Sequence, residues 1–149
     1  MKAQDTIGYQ VKSTWQIIVK MYNRLTVLHD FSQAEGYVLI SVKKDGIPVT
    51  KIAPLMGIEP TSLSRLLKTM EDKGLVYREK DKVDRRVVKL YLTQKGLELK
   101  KISRQMVLDY NKAIYEEVGE QQMENFLQTM NKIRNISCQL GFPDNESDR

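Results

Sequence analysis

Thr61, Ser62, Ser64 and Arg65 put three hydroxyls and a guanidinium within five residues, and Lys68 adds a cation one turn further on. Hydroxyls both donate and accept hydrogen bonds, and a guanidinium donates in a fork that matches paired acceptors. About fifteen residues later Lys80, Lys82, Arg85 and Arg86 form a second cluster, with Asp84 among them. Asp84 can pair with a neighbouring arginine and fix its direction. The chemistry these groups offer is recognition of a polyanion with patterned acceptors, by hydrogen bonding and charge neutralisation.

Bond-breaking chemistry finds no support. There is no P-loop, no GxGxxG and no nucleophile elbow, and the carboxylates are scattered among lysines, as on solvated helix faces. The expectation is a protein that is not an enzyme and needs no cofactor or metal. His29 is the one histidine and Cys138 the one cysteine. They are far apart in sequence and no second ligand cluster accompanies either, so a metal site is not expected. A packed or partly exposed thiol is the expectation for Cys138.

Bulk composition frames this. The 149 residues suit one compact domain, with 41% hydrophobic and 29% charged residues. No apolar run approaches the roughly 20 residues of a membrane span. The N-terminus lacks an apolar export core, and the single cysteine fits a reducing compartment, so a cytoplasmic protein is expected. The net charge of +5 is unevenly spread. Residues 1–60 carry a net +2, residues 61–104 a net +7 and residues 105–149 a net −4. Concentrated positive charge is the footprint of a polyanion-binding surface or, equally, of a solvated lysine-rich face.

Periodicity supplies the elements that must position these groups. Val11, Trp15, Ile18, Tyr22, Leu25 and His29 recur at steps of four and three, predicting a long helix from Asp5 to His29 with a coiled-coil-like seam. Ser32-Gln33-Ala34-Glu35 has the form of a capping box. It opens a helix read through Val42 to a stop at Asp45-Gly46, with Gly36 inside it as a candidate close crossing. Thr50 is read as the N-cap of a short helix, Lys51–Met56, ended by Gly57. A further helix runs from about Thr61 to Lys73, closed by Gly74. The period then changes to two. Leu75–Glu79 and Arg86–Thr93 read as the strands of a half-buried hairpin around a charged turn. Helical periodicity returns at Gln94 and continues toward Gly141. Leu99, Ile102, Met106 and Tyr110 make one stripe, and Met123, Phe126, Met130, Ile133 and Ile136 another, with Gly119 separating two helices. The tail from Phe142 is expected to fray.

A short helix, a tight turn and a second helix make a helix-turn-helix. In the second helix Leu63, Leu66, Leu67 and Met70 define the buried side, so Thr61, Arg65 and Lys68 lie opposite, flanked by Ser62 and Ser64. Such a helix can enter a DNA major groove, and the basic hairpin can reach an adjacent minor groove as a wing. Helix-turn-helix geometry also docks proteins, so a winged-helix interaction module without DNA binding stays open here.

The run of Lys73-Gly74-Leu75-Val76, Asp84-Arg85-Arg86, Leu90-Tyr91-Leu92-Thr93 and Lys95-Gly96 after a helix-turn-helix resembles the MarR family of bacterial transcription regulators. One long helix before this block and two after it match that family's order, and the resemblance is most specific from Gly57 to Gly96. It implies a mostly α fold with a small β-hairpin wing: a winged helix-turn-helix, residues 32–95, flanked by dimerisation helices in residues 1–31 and 96–149. It implies a homodimer on double-stranded DNA at a pseudo-palindromic operator, with recognition helix 61–73 and wing 77–93, and with repression as the default. The positions carried over are Thr61, Ser62, Ser64, Arg65 and Lys68 in the helix and Lys82, Asp84, Arg85 and Arg86 in the wing, Arg86 being the minor-groove candidate.

Many members bind a small effector between dimer region and winged helix. Trp15, Tyr22, His29, Phe31 and Tyr37 are the candidate lining here, against a competing reading as core or helix-end residues. Thr14-Trp15-Gln16, Met21-Tyr22-Asn23 and Thr61-Ser62-Leu63 resemble a subgroup associated with fatty-acid metabolism. The effector classes implied are a phenolic anion, a fatty acid or an acyl-CoA. Members that sense oxidants use a cysteine near the end of the first helix, where this chain has none.

Overall fold

The computed structural model describes residues 2–141. The described residues divide into two compact units, one ending at Met106 and one starting at Val107. Helix α1 (Ile7–Thr26) opens on Thr6, whose hydroxyl accepts from the Tyr9 amide at 3.3 Å. A single 3₁₀ turn, Val27–His29, and Asp30 in the left-handed region end the segment. In one chain the expected seam is only partly covered: Ile18 and Tyr22 are half-buried, and Val11, Trp15, Leu25 and His29 are exposed.

Helix α2 (Gln33–Ser41) has the expected capping box. The Glu35 amide donates to the Ser32 hydroxyl at 3.2 Å, and the Ser32 amide donates to Glu35 Oε2 at 2.6 Å. The helix ends at Ser41 rather than running through Val42, which has extended backbone as the C-cap. The apolar run misled here because Val42 is buried for the core and not for the helix. Gly36 does permit a close crossing. A Cβ there would stand 3.1 Å from the Phe31 ring and 3.2 Å from Ser103 Oγ.

Three further boundaries differ from expectation. Ile47–Pro48 is a strand, β1, which the sequence reading left as connection. Thr50 is not an N-cap: it lies inside a 3₁₀ turn, Val49–Lys51, and α3 (Ile52–Met56) starts from Lys51 without a side-chain cap. The 3₁₀ turn supplies the entry geometry that a cap would otherwise provide. Helix α4 (Pro60–Asp72) begins one residue early because Pro60, with its fixed φ and no amide to satisfy, suits the first helical position.

Strands β2 (Val76–Lys80) and β3 (Val88–Leu92) form the hairpin, and β1 adds to β3 in an antiparallel sheet of order β1-β3-β2. Tyr77 faces Tyr91 and Arg78 faces Leu90 across β2 and β3, while Ile47 faces Leu90 across β1 and β3. Strand β3 is shorter than the expected Arg86–Thr93, because Arg86 belongs to the turn, while β2 keeps five residues and is shifted by one to include Lys80. The core of this unit joins Val38, Leu39 and Val42 to Ile52, Leu63, Leu67, Met70, Leu75 and Leu90. Leu63, Leu67 and Met70 are the buried side of α4, as expected, with Leu66 half-buried beside them.

Helix α5 (Gln94–Val118) and helix α6 (Glu120–Gly141) are separated by Gly119 at φ 86°. Cys138 lies exposed on α6. The tail from Phe142, expected to fray, lies outside the described residues.

Candidate nucleic-acid interface

Burial of Leu63, Leu67 and Met70 turns the opposite face of α4 outward, and Thr61, Ser62, Ser64, Arg65 and Lys68 are all exposed there. Glu59 provides no side-chain cap for α4. The first-turn amides are therefore left to water or to an anion. The Ser64 hydroxyl donates to the Pro60 carbonyl at 3.0 Å, which leaves its lone pairs outward. Lys68 Nζ holds Asp72 Oδ1 at 2.8 Å, and that hydrogen bond raises the lysine's pKa. Arg65 has no such partner among the described contacts and stands as the unpaired cation of this face.

The wing tip is organised by a residue the sequence reading did not single out. Asp81 Oδ1 lies 2.6 Å from Lys89 Nζ, and its Oδ2 accepts from the Val83 and Asp84 amides at 3.1 and 3.0 Å. The Lys89 ammonium, then those amides, hold the Asp81 carboxyl down at about 2. The Asp81 amide donates to the Val87 carbonyl at 2.8 Å, and the Val87 amide donates to the Asp84 carbonyl at 3.0 Å, closing the turn.

Within that turn Asp84 grips Arg86 with both oxygens: Nε donates to Oδ1 at 3.1 Å and a terminal nitrogen donates to Oδ2 at 3.2 Å. The Arg86 amide also donates to Oδ1 at 3.1 Å. The Arg86 side chain lowers the Asp84 pKa, with the backbone amide second. The pairing expected from the Asp84-Arg85-Arg86 sequence is thus present, and Arg86 is directed while remaining 91% exposed. Lys82 and Arg85 are exposed beside it.

Two contacts tie α4 and the hairpin to the scaffold, and neither could be found by local spacing. Arg78 on β2 reaches back to Glu71 on α4, with Nε 2.8 Å from Oε1 and a second bond to Oε2 at 3.2 Å. Lys73, at the end of α4, places Nζ 3.0 Å from Glu35 Oε1 and donates to Oε2 at 3.2 Å and to the Asp30 carbonyl at 3.0 Å. The same Glu35 that closes the α2 capping box therefore anchors the end of α4.

The Gly-Leu-Val and Thr-Gln-Lys-Gly sequences interlock. The Thr93 hydroxyl donates to the Gly74 carbonyl at 2.6 Å and accepts from the Gly96 amide at 3.1 Å, and Lys95 Nζ donates to the Lys73 carbonyl at 3.1 Å. Gly96 lies so close to this strand that a Cβ would fall 2.1 Å from the Leu75 carbonyl oxygen.

The residues expected around an effector divide. Trp15 and Tyr37 share a groove of about 470 Å³ with Val19, Ala34, Leu55 and Met56, and the Tyr37 hydroxyl spans it to the Leu55 carbonyl at 3.0 Å. Phe31 is buried against Gly36. His29 is exposed, with its ring 6.3 Å from that of Phe31, and Tyr22 is half-buried on α1. These three do not line the groove.

A buried helix-turn-helix core, an outward polar helix face and a basic hairpin define a winged helix-turn-helix. The profile of the MarR family matches residues 38–88 of this chain. It is 28% identical over 109 residues to the HTH-type transcriptional regulator PetP of Rhodobacter capsulatus, covering 72% of this chain and 66% of that one. It is 38% identical over 64 residues to the HTH-type transcriptional repressor MdtR of Bacillus subtilis, covering 42% of this chain and 41% of that one. The matched stretches thus span less than two thirds of these relatives' lengths. Among solved structures, MepR of S. aureus in complex with DNA superposes with a TM-score of 0.78 at 20% identity, over 87% of this chain and 97% of MepR. CouR of Rhodococcus jostii RHA1 bound to p-coumaroyl-CoA superposes with a TM-score of 0.74 at 21% identity, over 97% of this chain and 98% of CouR. At these identities the likeness is one of fold.

Proposed function

We propose that this chain is a homodimeric, sequence-specific DNA-binding transcription regulator that acts as an effector-responsive repressor. The observation that carries the reading is the outward face of α4. Its buried side is fixed by Leu63, Leu67 and Met70, so Thr61, Ser62, Ser64 and Arg65 face away from the core on a rigid helix. Arg65 is the residue for a guanine edge in the major groove, and the hydroxyls meet bases or phosphates. The uncapped first turn of α4 takes a phosphate. Arg86, oriented by Asp84, reads the negative potential of the minor groove, while Lys82 and Arg85 neutralise flanking phosphates.

The MepR–DNA complex and the relatives named as transcription regulators support this reading. Repression follows if a bound dimer occludes a promoter, and the Bacillus subtilis relative is named as a repressor. Residues 32–95 serve as the reader. The apolar faces in residues 1–31 and 96–149 serve as the dimer surface, since Ile17, Leu28, Phe126 and Leu127 among them stay exposed in one chain. The groove of Trp15 and Tyr37 is the effector site, suited by its apolar lining to a phenolic, fatty acyl or acyl-CoA body. The CouR complex with p-coumaroyl-CoA supports that class.

The test is a binding-site profile of the wild-type protein and of Arg65→Ala on randomised duplexes. The reading requires the variant to relax sequence preference at defined positions. An unchanged preference would overturn the assignment of α4 to the groove.

A further inference from the structure

A second cavity, of about 490 Å³, opens at the base of the wing. Its walls include Lys43 and Lys44 after α2, and Lys100, Lys101 and Arg104 on α5. No carboxylate lines it. The side chains of Lys43, Lys44, Lys101 and Arg104 have no ion-pair or hydrogen-bond partner among the described residues, while Lys100 donates to the Val42 carbonyl at 2.5 Å. Five cations without a counter-charge repel one another, and those on α5 at spacings of three and four also weaken the helix. A wall of this kind is stabilised by an anion of more than one charge.

The floor is aromatic. Tyr77 and Tyr91 stack across the hairpin with ring centroids 5.5 Å apart and planes at 19°, and Tyr77 stays 41% exposed. Tyr91 is held in place because its ring lies against Gly46, where a Cβ would come within 2.8 Å of the ring carbons. A fixed tyrosine pair offers a face on which a planar ring can stack. Strand β3 runs away from the wing tip toward this cavity, so it is separate from Lys82, Arg85 and Arg86. It also shares no lining residue with the groove of Trp15 and Tyr37.

We propose that this cavity binds a small phosphorylated molecule with a planar ring, of the nucleotide class, the phosphates against Lys43, Lys44, Lys101 and Arg104 and the ring on Tyr77 and Tyr91. A monocarboxylate would leave most of the positive charge unneutralised, and bare polyphosphate would leave the aromatic floor unused. Lysine suits phosphate as a mobile point charge, and Arg104 adds a guanidinium fork.

Isothermal titration of the full-length protein without DNA, using ATP, tripolyphosphate and adenosine as separate probes, tests this independently of the proposed DNA binding. ATP should bind saturably at one per chain, at least about tenfold more tightly than either fragment. Lys101→Gln with Arg104→Gln should weaken ATP by about tenfold or more at an unchanged melting temperature, and Tyr77→Leu should remove the preference for ATP over tripolyphosphate. Three results would overturn the proposal: no saturable binding up to about 1 mM ATP, tripolyphosphate binding as tightly as ATP, or ATP affinity unmoved in the double variant. If the double variant instead lowers DNA affinity evenly across sequences while ATP binding is unmoved, the patch is a DNA-phosphate contact.

Discussion

Arg65 and Arg86 are both exposed, yet they are prepared differently. Arg65 is unpaired on α4, whereas Arg86 is held by two bonds from Asp84. Arg65→Ala and Arg86→Ala should each weaken specific DNA binding by about 1–3 kcal/mol, read by fluorescence anisotropy on a selected site. Asp84→Asn should reproduce much of the Arg86 effect, because it frees the guanidinium without removing it. Lys68 already holds Asp72, so a phosphate contact exchanges one partner for another. Lys68→Ala should weaken all sequences evenly and flatten the salt slope, by less than an unpaired cation would. Asp81 titrates at about 2 in the fold, below the roughly 3.9 of an unfolded aspartate. Its contribution to wing stability is therefore fully present above about pH 4 and lost as pH falls through about 2. Carboxyl NMR titration should give that low midpoint, and a midpoint near the ordinary aspartate value would contradict the Lys89 pairing. The cations were legible in the sequence as a cluster. Asp81 was not, because its partner Lys89 meets it only once the hairpin closes.

At the scale of elements, what holds α4 and the wing in place is a small set of contacts across long sequence gaps. Glu35 is 3% exposed, and Lys73 is its charge partner. Lys73→Met leaves that carboxylate buried and unpaired and should cost about 3 kcal/mol in urea unfolding. Gly96→Ala drives a methyl into the Leu75 carbonyl and should cost about 3 kcal/mol, with the α5 start displaced. The sequence around Lys73-Gly74 and Lys95-Gly96 is visible as a motif, yet its physical reason is the interlock through Thr93, which no spacing rule reveals. Elements with strong periods or caps were read correctly, as the Ser32 box and the apolar side of α4 show. Strand β1 was missed because it has two residues, one of them proline, and exists through pairing with β3. Thr50 was misread because a cap residue before an apolar run looks alike whether an α-helix or a 3₁₀ turn follows.

At the scale of the molecule, a single chain leaves apolar surface exposed. On α1, Ile17 is 67% exposed, and Leu28 just beyond its end is 88% exposed; in residues 107–149, Phe126 and Leu127 are each about half exposed. The account assigns these faces to a second copy of the chain. The melting temperature should then rise with protein concentration, and sedimentation should detect no folded monomer. The seam was legible from its steps of four and three, but its partner was not, since one sequence does not say what covers an apolar stripe.

Selection of genomic DNA fragments by the purified protein at two salt concentrations tests the central claim most directly. The account predicts enrichment of a pseudo-palindrome with half-sites about one helical turn apart, and affinity that falls steeply with salt. No enrichment at either salt, also after refolding from denaturant to strip any bound effector, would contradict it and leave a winged helix that docks a protein.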